Sequence, residues 1–153
     1  MSEVFDYLDD AVTEMKRVDH QVYVSLKYTR TVDVLLNIIS RMIDGYEEMW
    51  NGLIQYHVEQ NKVEEVPQAP LVKASMVLDL YDEEIIKDNV ELYLLLRKLH
   101  RSNPEREQEF RRHVTLRTVI DGREEIVNID IITQYYHMQK EFLGWLFKYF
   151  EEK

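Results

Sequence analysis

VDVLLNIISRMIDGYEEMWNGLIQYH, residues Val32 to His57, decides the fold. Val32, Leu35/Leu36, Ile39, Met42/Ile43, Tyr46, Met49/Trp50, Leu53 and Tyr56/His57 advance by alternating threes and fours, the spacing that puts every apolar residue on one stripe of an α-helix. Sustained over more than three heptads, this reads as a seam of coiled-coil type within a helix of about 31–61. Such a helix would be ~45 Å long at 1.5 Å per residue, more than a small domain ordinarily buries, so the seam 32–57 predicts a homodimer or higher oligomer. Gly45 and Gly52 lie seven apart on one face of it. Each costs ~1 kcal/mol against alanine, which is either tolerated or compensated by a helix packing closely there.

Upstream, Val4, Leu8, Ala11/Val12, Met15, Val18, Val22 and Leu26 give a second amphipathic helix over 3–28. Ser2 is its expected N-cap, and Asp19 stands where a new helix could start. Lys27-Tyr-Thr-Arg30 interrupts the apolar pattern, either as a bend or to place Arg30 inward against an acid. Downstream, the two prolines of residues 61–70 mark a linker. Helical spacing resumes at Leu71 to Leu80 and again from about Asp82 to Leu99, with Asp82 and Asp88 as alternative caps. Asn103-Pro104-Glu105 has the form of a helix start and predicts a short basic helix to Arg112.

After that the period changes. His113 to Ile120 and Arg123 to Ile129 are rich in β-branched residues and flank Asp121-Gly122, the pair favoured in two-residue type I′ turns. The hairpin of about 113–129 would oppose Leu116 to Val127, Val114 to Ile129 and His113 to Asp130. Asp130 would cap a final aromatic helix to about Glu151, apolar on two faces and so expected to be covered on both. The fold class is mainly α: a multi-helix bundle of long antiparallel helices with one small β-hairpin before the C-terminal helix, read as a single domain over 1–153.

The 153 residues, 45% hydrophobic and 31% charged, suffice for a packed core. The absence of cysteine removes disulfides and thiolate chemistry. The acidic N-terminus does not read as a signal peptide, and no apolar run approaches the ~20 residues of a membrane span; a cytoplasmic location without a membrane partner is the expectation. None of the five histidines has a glutamate three before it, nor a histidine three or four away, so neither a metal nor any other cofactor is expected. Phosphate-loop and nucleophile-elbow motifs are missing.

The net charge of −10 argues against general binding to nucleic acid. It is unevenly spread, however. Arg97, Lys98, Arg101, Arg106, Arg111, Arg112 and Arg117 lie among three acids, giving a segment of +4 in a chain otherwise at −14. Arg97, Arg101, Arg106, Arg111, Arg112 and Arg117 are the candidate binding residues, and Arg106, Arg112 and His113 the candidate catalytic ones. Arg106 and His113, seven apart, would share a face on a continuing helix, although His113 stands at the start of the expected strand. Their spacing resembles the Arg-x4-6-His motif of the HEPN (higher-eukaryote and prokaryote nucleotide-binding) ribonuclease domains, although Glu107 replaces the polar amide usual beside that arginine. The resemblance, eight residues long, implies a guanidinium that grips phosphate oxygens and an imidazole that moves the proton. His113 with Asp130 instead reads as a structural pair.

Three functions follow as expectations. The first is a non-enzymatic interaction or assembly module acting as a homo-oligomer, with a possible protein partner. The second is an RNA- or nucleotide-directed binding protein or ribonuclease using segment 97–117. The third is a carrier of a small apolar ligand inside the bundle.

Overall fold

The computed structural model describes residues Met1–Lys153 and is mainly α. Helix α3 (Val32–Glu59) runs through the middle of it. Thr31 starts this helix: its Oγ1 accepts a hydrogen bond from the Val34 N–H at 3.2 Å, satisfying an otherwise orphaned donor. Helix α1 (Ser2–His20) continues through one π-helical turn (Gln21–Ser25) into α2 (Leu26–Tyr28), and its stripe from Val4 to Leu26 is buried against α3. Ser2 lies inside the first turn of α1 and caps nothing. Asp19 likewise starts no new helix; the break expected there is the π turn that follows it.

The long seam needs no second chain to cover it. Leu35, Ile39, Met42, Tyr46, Met49, Trp50 and Leu53 have no solvent exposure, because α1, α4, α5 and α6 pack around α3 from different sides. The stripe 32–57, which suggested an oligomer seam, lies in the core of this chain under its own helices. Each large apolar side chain so enclosed contributes roughly 1.5–3 kcal/mol. The glycines show how closely α1 approaches. A Cβ on Gly52 would stand 3.3 Å from Leu8 Cδ2 and 3.5 Å from the Val4 carbonyl oxygen.

Residues 60–69 form the expected connection, and Pro70 occupies the first turn of α4 (Pro70–Leu80), where its missing N–H costs nothing. The break before α5 (Glu84–Arg101) falls at Tyr81–Glu83, so Asp88 is an interior residue rather than a cap. Tyr81 is buried there and donates to the Leu53 carbonyl at 2.6 Å, tying the α4–α5 joint to α3. At the centre, Tyr46 stacks on Trp50 at 5.3 Å, and Tyr93 and Phe142 pack against the same indole at 5.6 and 6.0 Å.

Strands β1 (Glu105–Glu107), β2 (Thr115–Ile120) and β3 (Arg123–Val127) form one antiparallel sheet in that order. Asp121 and Gly122 turn at φ 51° and 80°, as a type I′ turn requires, and Leu116 faces Val127 as its register predicts. Two expectations fail around this sheet. Asn103-Pro104 opens no helix, because the chain pairs as β1 with Arg106 opposite Leu116. Ile129 has already entered α6 (Ile129–Glu151) and pairs with no strand residue; that helix is capped by Asn128, whose Oδ1 accepts from the Ile131 N–H at 2.9 Å, and not by Asp130. One face of α6 (Ile132, Tyr136, Phe142, Leu143, Leu146, Phe150) is buried, while Tyr135, Trp145 and Tyr149 on the other are half-buried. No helix is long and apolar enough to cross a membrane.

Candidate functional site

The connection from β1 to β2 is the most unusual backbone in the molecule. Gln108 and Phe110 both hold positive φ, 54° and 64°, a region that bulky residues seldom adopt. Local bonds enforce it: the Phe110 N–H donates to the Arg30 carbonyl at 2.6 Å, the Arg111 N–H to Gln108 O at 3.2 Å, and the Val114 N–H to Arg111 O at 3.1 Å. Val114, fully buried, anchors the end of the loop. Phe110 itself is thrown outward, 76% exposed. Two residues before Arg30, Tyr28 ends α2 and is 78% exposed.

The interruption at Lys27–Arg30 is thus the seat of the loop. Arg30 is half-buried and makes no ion pair, so the alternative that turned it against an acid is replaced by a backbone role: its carbonyl holds Phe110. The Phe110–Arg30 bond brings Lys27–Arg30 beside the loop, whose Arg111, Arg112 and His113 are all exposed, and the Lys27 ammonium lies 5.9 Å from the Tyr28 ring centre. Neither Arg111 nor Arg112 has a carboxylate within ion-pair distance. The result is a basic, aromatic tip on an acidic protein.

The other arginines of the segment are committed elsewhere. Arg106 bonds Asp33 Oδ1 at 2.9 Å and approaches Glu109, fastening β1 to the start of α3. Arg117 lies on the opposite face of the sheet between Glu107, at 2.8 Å, and Glu124, and its guanidinium holds the Glu107 carboxyl below its ordinary value. Arg97 reaches Glu47 Oε2 at 3.4 Å, an oxygen that also accepts from the Tyr93 hydroxyl at 2.7 Å; burial, then that carboxylate, pushes the Tyr93 phenol up. Arg101 is exposed in the last turn of α5. Of the six candidate binding residues, only Arg111 and Arg112 share the tip.

Arg106 and His113 do not share a helical face, since one lies on a strand and the other in the loop beyond it. His113 and Asp130 are both exposed, and neither a hydrogen bond nor an ion pair joins them. Hairpin register placed them opposite each other; the entry of Asn128 into the α6 cap takes Asp130 off the strand line instead. Phe110 is the residue that sequence reasoning misses, and its signal is isolation, since it lies between Glu109 and Arg111 outside every apolar period. Compared with protein-family models, curated proteins and solved structures, the chain finds no match.

Proposed function

We propose that this protein is a non-enzymatic interaction module that docks an acidic protein surface through the tip formed by Lys27–Arg30 and Gln108–His113. The observation that carries this reading is Phe110: a large apolar side chain, mostly exposed, on a backbone held in an uncommon conformation, beside two arginines without acid partners. Backbone held against its preference costs about 1–3 kcal/mol and persists where surrounding bonds impose it, commonly at binding sites. Aromatic residues and arginine are the side chains that most often dominate protein–protein binding. The charge contrast supports an acidic partner, because a cationic tip on a chain of net charge −10 orients such a surface during approach.

The test uses a fluorescent peptide alternating glutamate with leucine, and a fluorescent oligouridylate of similar length. Binding of the peptide, weakened by salt and lost in Phe110→Ser and in the double change Arg111→Ala with Arg112→Ala, is the expected result. Binding of the RNA in preference to the peptide would replace this reading with the nucleic-acid one. Light scattering in the same buffers separates a docked partner from self-association: a concentration-dependent dimer abolished by Phe110→Ser would make a second copy of the chain the acidic partner.

A further inference from the structure

Two contacts set α1 and α6 antiparallel: Phe5 stacks on Phe147 at 6.2 Å, and the Tyr136 hydroxyl donates to Asp19 Oδ1. Between these points the helices part into a surface groove of about 590 Å³. That volume lies within the ~300–1,000 Å³ common to small-molecule sites. Val12, Met15, Leu143 and Phe147 give it an apolar lining. Its polar side chains gather toward one end. Lys16 and Lys140 line the two helices at the same level, about one turn from the Asp19–Tyr136 bond, and neither lysine forms an ion pair. Asp19 lines the same end, so the groove sets two ammonium groups against one carboxylate, a local excess of positive charge in a chain with 29 acids and 19 bases.

Gly144 gives the second observation. It lies in the interior of α6, where glycine is a poor helix former, yet a Cβ there would meet nothing within 4 Å. Packing within the chain does not require a glycine at this position. What its missing side chain does is leave the groove open between the lysines and the Phe5–Phe147 stack. Head-group charge at one end, an unobstructed middle and an apolar far end match an elongated amphiphile.

We propose that this groove binds a lipophilic carboxylate of the fatty-acid class, with its head group between Lys16 and Lys140 and its chain running over Gly144 toward Phe147. The site is separate from the tip, and its fate in experiment is independent of the interaction reading.

Calorimetric titration of the full chain with dodecanoate, below its micelle concentration, tests the proposal; dodecyltrimethylammonium is the control of equal chain length. One-to-one binding of dodecanoate and not of the cation is expected. A Cβ at Gly144 meets nothing within 4 Å and leucine is the better helix former, so Gly144→Leu stays folded by circular dichroism and loses affinity by about tenfold or more. Lys16→Gln and Lys140→Gln each weaken binding roughly fivefold at low salt, the scale of a solvent-exposed ion pair. Failure to bind dodecanoate, equal binding of the cation, or undiminished binding by folded Gly144→Leu each overturns the proposal. So does a wild-type dimer that Gly144→Leu converts to monomer, since a second copy would then fill the groove.

Discussion

Gln139 has no solvent exposure and reaches from α6 to α3, where its Nε2 donates to the Met42 carbonyl at 2.8 Å. The contact depends on Gly45, because a Cβ there would stand 3.2 Å from that same nitrogen. Gly45→Ala therefore sets two effects against each other. Helix propensity gains ~1 kcal/mol, whereas displacing a buried, bonded amide costs about 1–3 kcal/mol. The amide is enclosed and its Oε1 already lacks a partner, so it has no better bond to move to. We expect Gly45→Ala to lose about 1 kcal/mol in urea unfolding, and Gly144→Ala, with nothing near its Cβ, to gain up to ~1 kcal/mol. Equal stabilisation by both changes would show that the Gln139 bond is worth little. Phe110 poses the converse case. Phe110→Gly relieves positive-φ strain while removing little buried surface, so we expect unchanged or higher unfolding free energy together with loss of peptide binding. Loss of stability and binding together would make the residue a packing element instead.

At the level of elements, what the sequence revealed depended on how local the determining interaction is. Asp121-Gly122 carries its own turn, and the β2–β3 register followed from two residues. The stripe of α3 announced that one face is buried; periodicity holds no information about what covers it, and a second chain and the chain's own helices predict the same pattern. Asn-Pro-Glu is a good helix start and predicts helix where strand β1 forms, because the competing interaction, pairing of Arg106 opposite Leu116, comes from across a loop. The π turn at Gln21–Ser25 hid in the Val18, Val22, Leu26 spacing of fours, which an α-helix with a slight drift also satisfies. The tip was half legible: the charge of segment 97–117 pointed to it, but which arginines are neutralised by Asp33, Glu107 and Glu47 is decided by tertiary packing. The hairpin also offers a test. Gly122 sits at φ 80° with open space around it, so Gly122→Ala has a backbone cost alone, ~1–2 kcal/mol. Hydrogen exchange should then show faster opening of the β2 and β3 amides with the α3 core amides unchanged. Equal acceleration in α3 would mean that sheet and helices unfold as one unit.

Across the whole molecule, charge acts on stability and on binding in opposite senses. His57 lies between the Tyr56 and Tyr81 rings, and burial, then Lys62, lowers its pKa from 6.5. A histidine with a depressed folded-state pKa leaves the unfolded chain holding more protons, so its contribution to stability rises as pH climbs through about 6.5. His57→Gln should flatten the thermal midpoint against pH between roughly pH 5 and 7.5; an unaltered slope would assign that dependence to other groups. Ionic strength acts on a larger scale. With 29 acids against 19 bases, folding brings like charges together, and salt screens their repulsion over a Debye length of ~10 Å at 0.1 M. Attraction between the cationic tip and an acidic partner is screened by the same ions. Raising salt from about 0.02 to about 0.3 M should therefore raise the unfolding midpoint while weakening the peptide complex. The two trends respond to different residues. Reversing the tip with Arg111→Glu and Arg112→Glu should abolish peptide binding at low salt and steepen the salt dependence of stability, because the chain then carries four more units of negative charge. Parallel trends in the wild type would mean that the peptide is held by apolar contact, and the electrostatic half of the docking reading would fail.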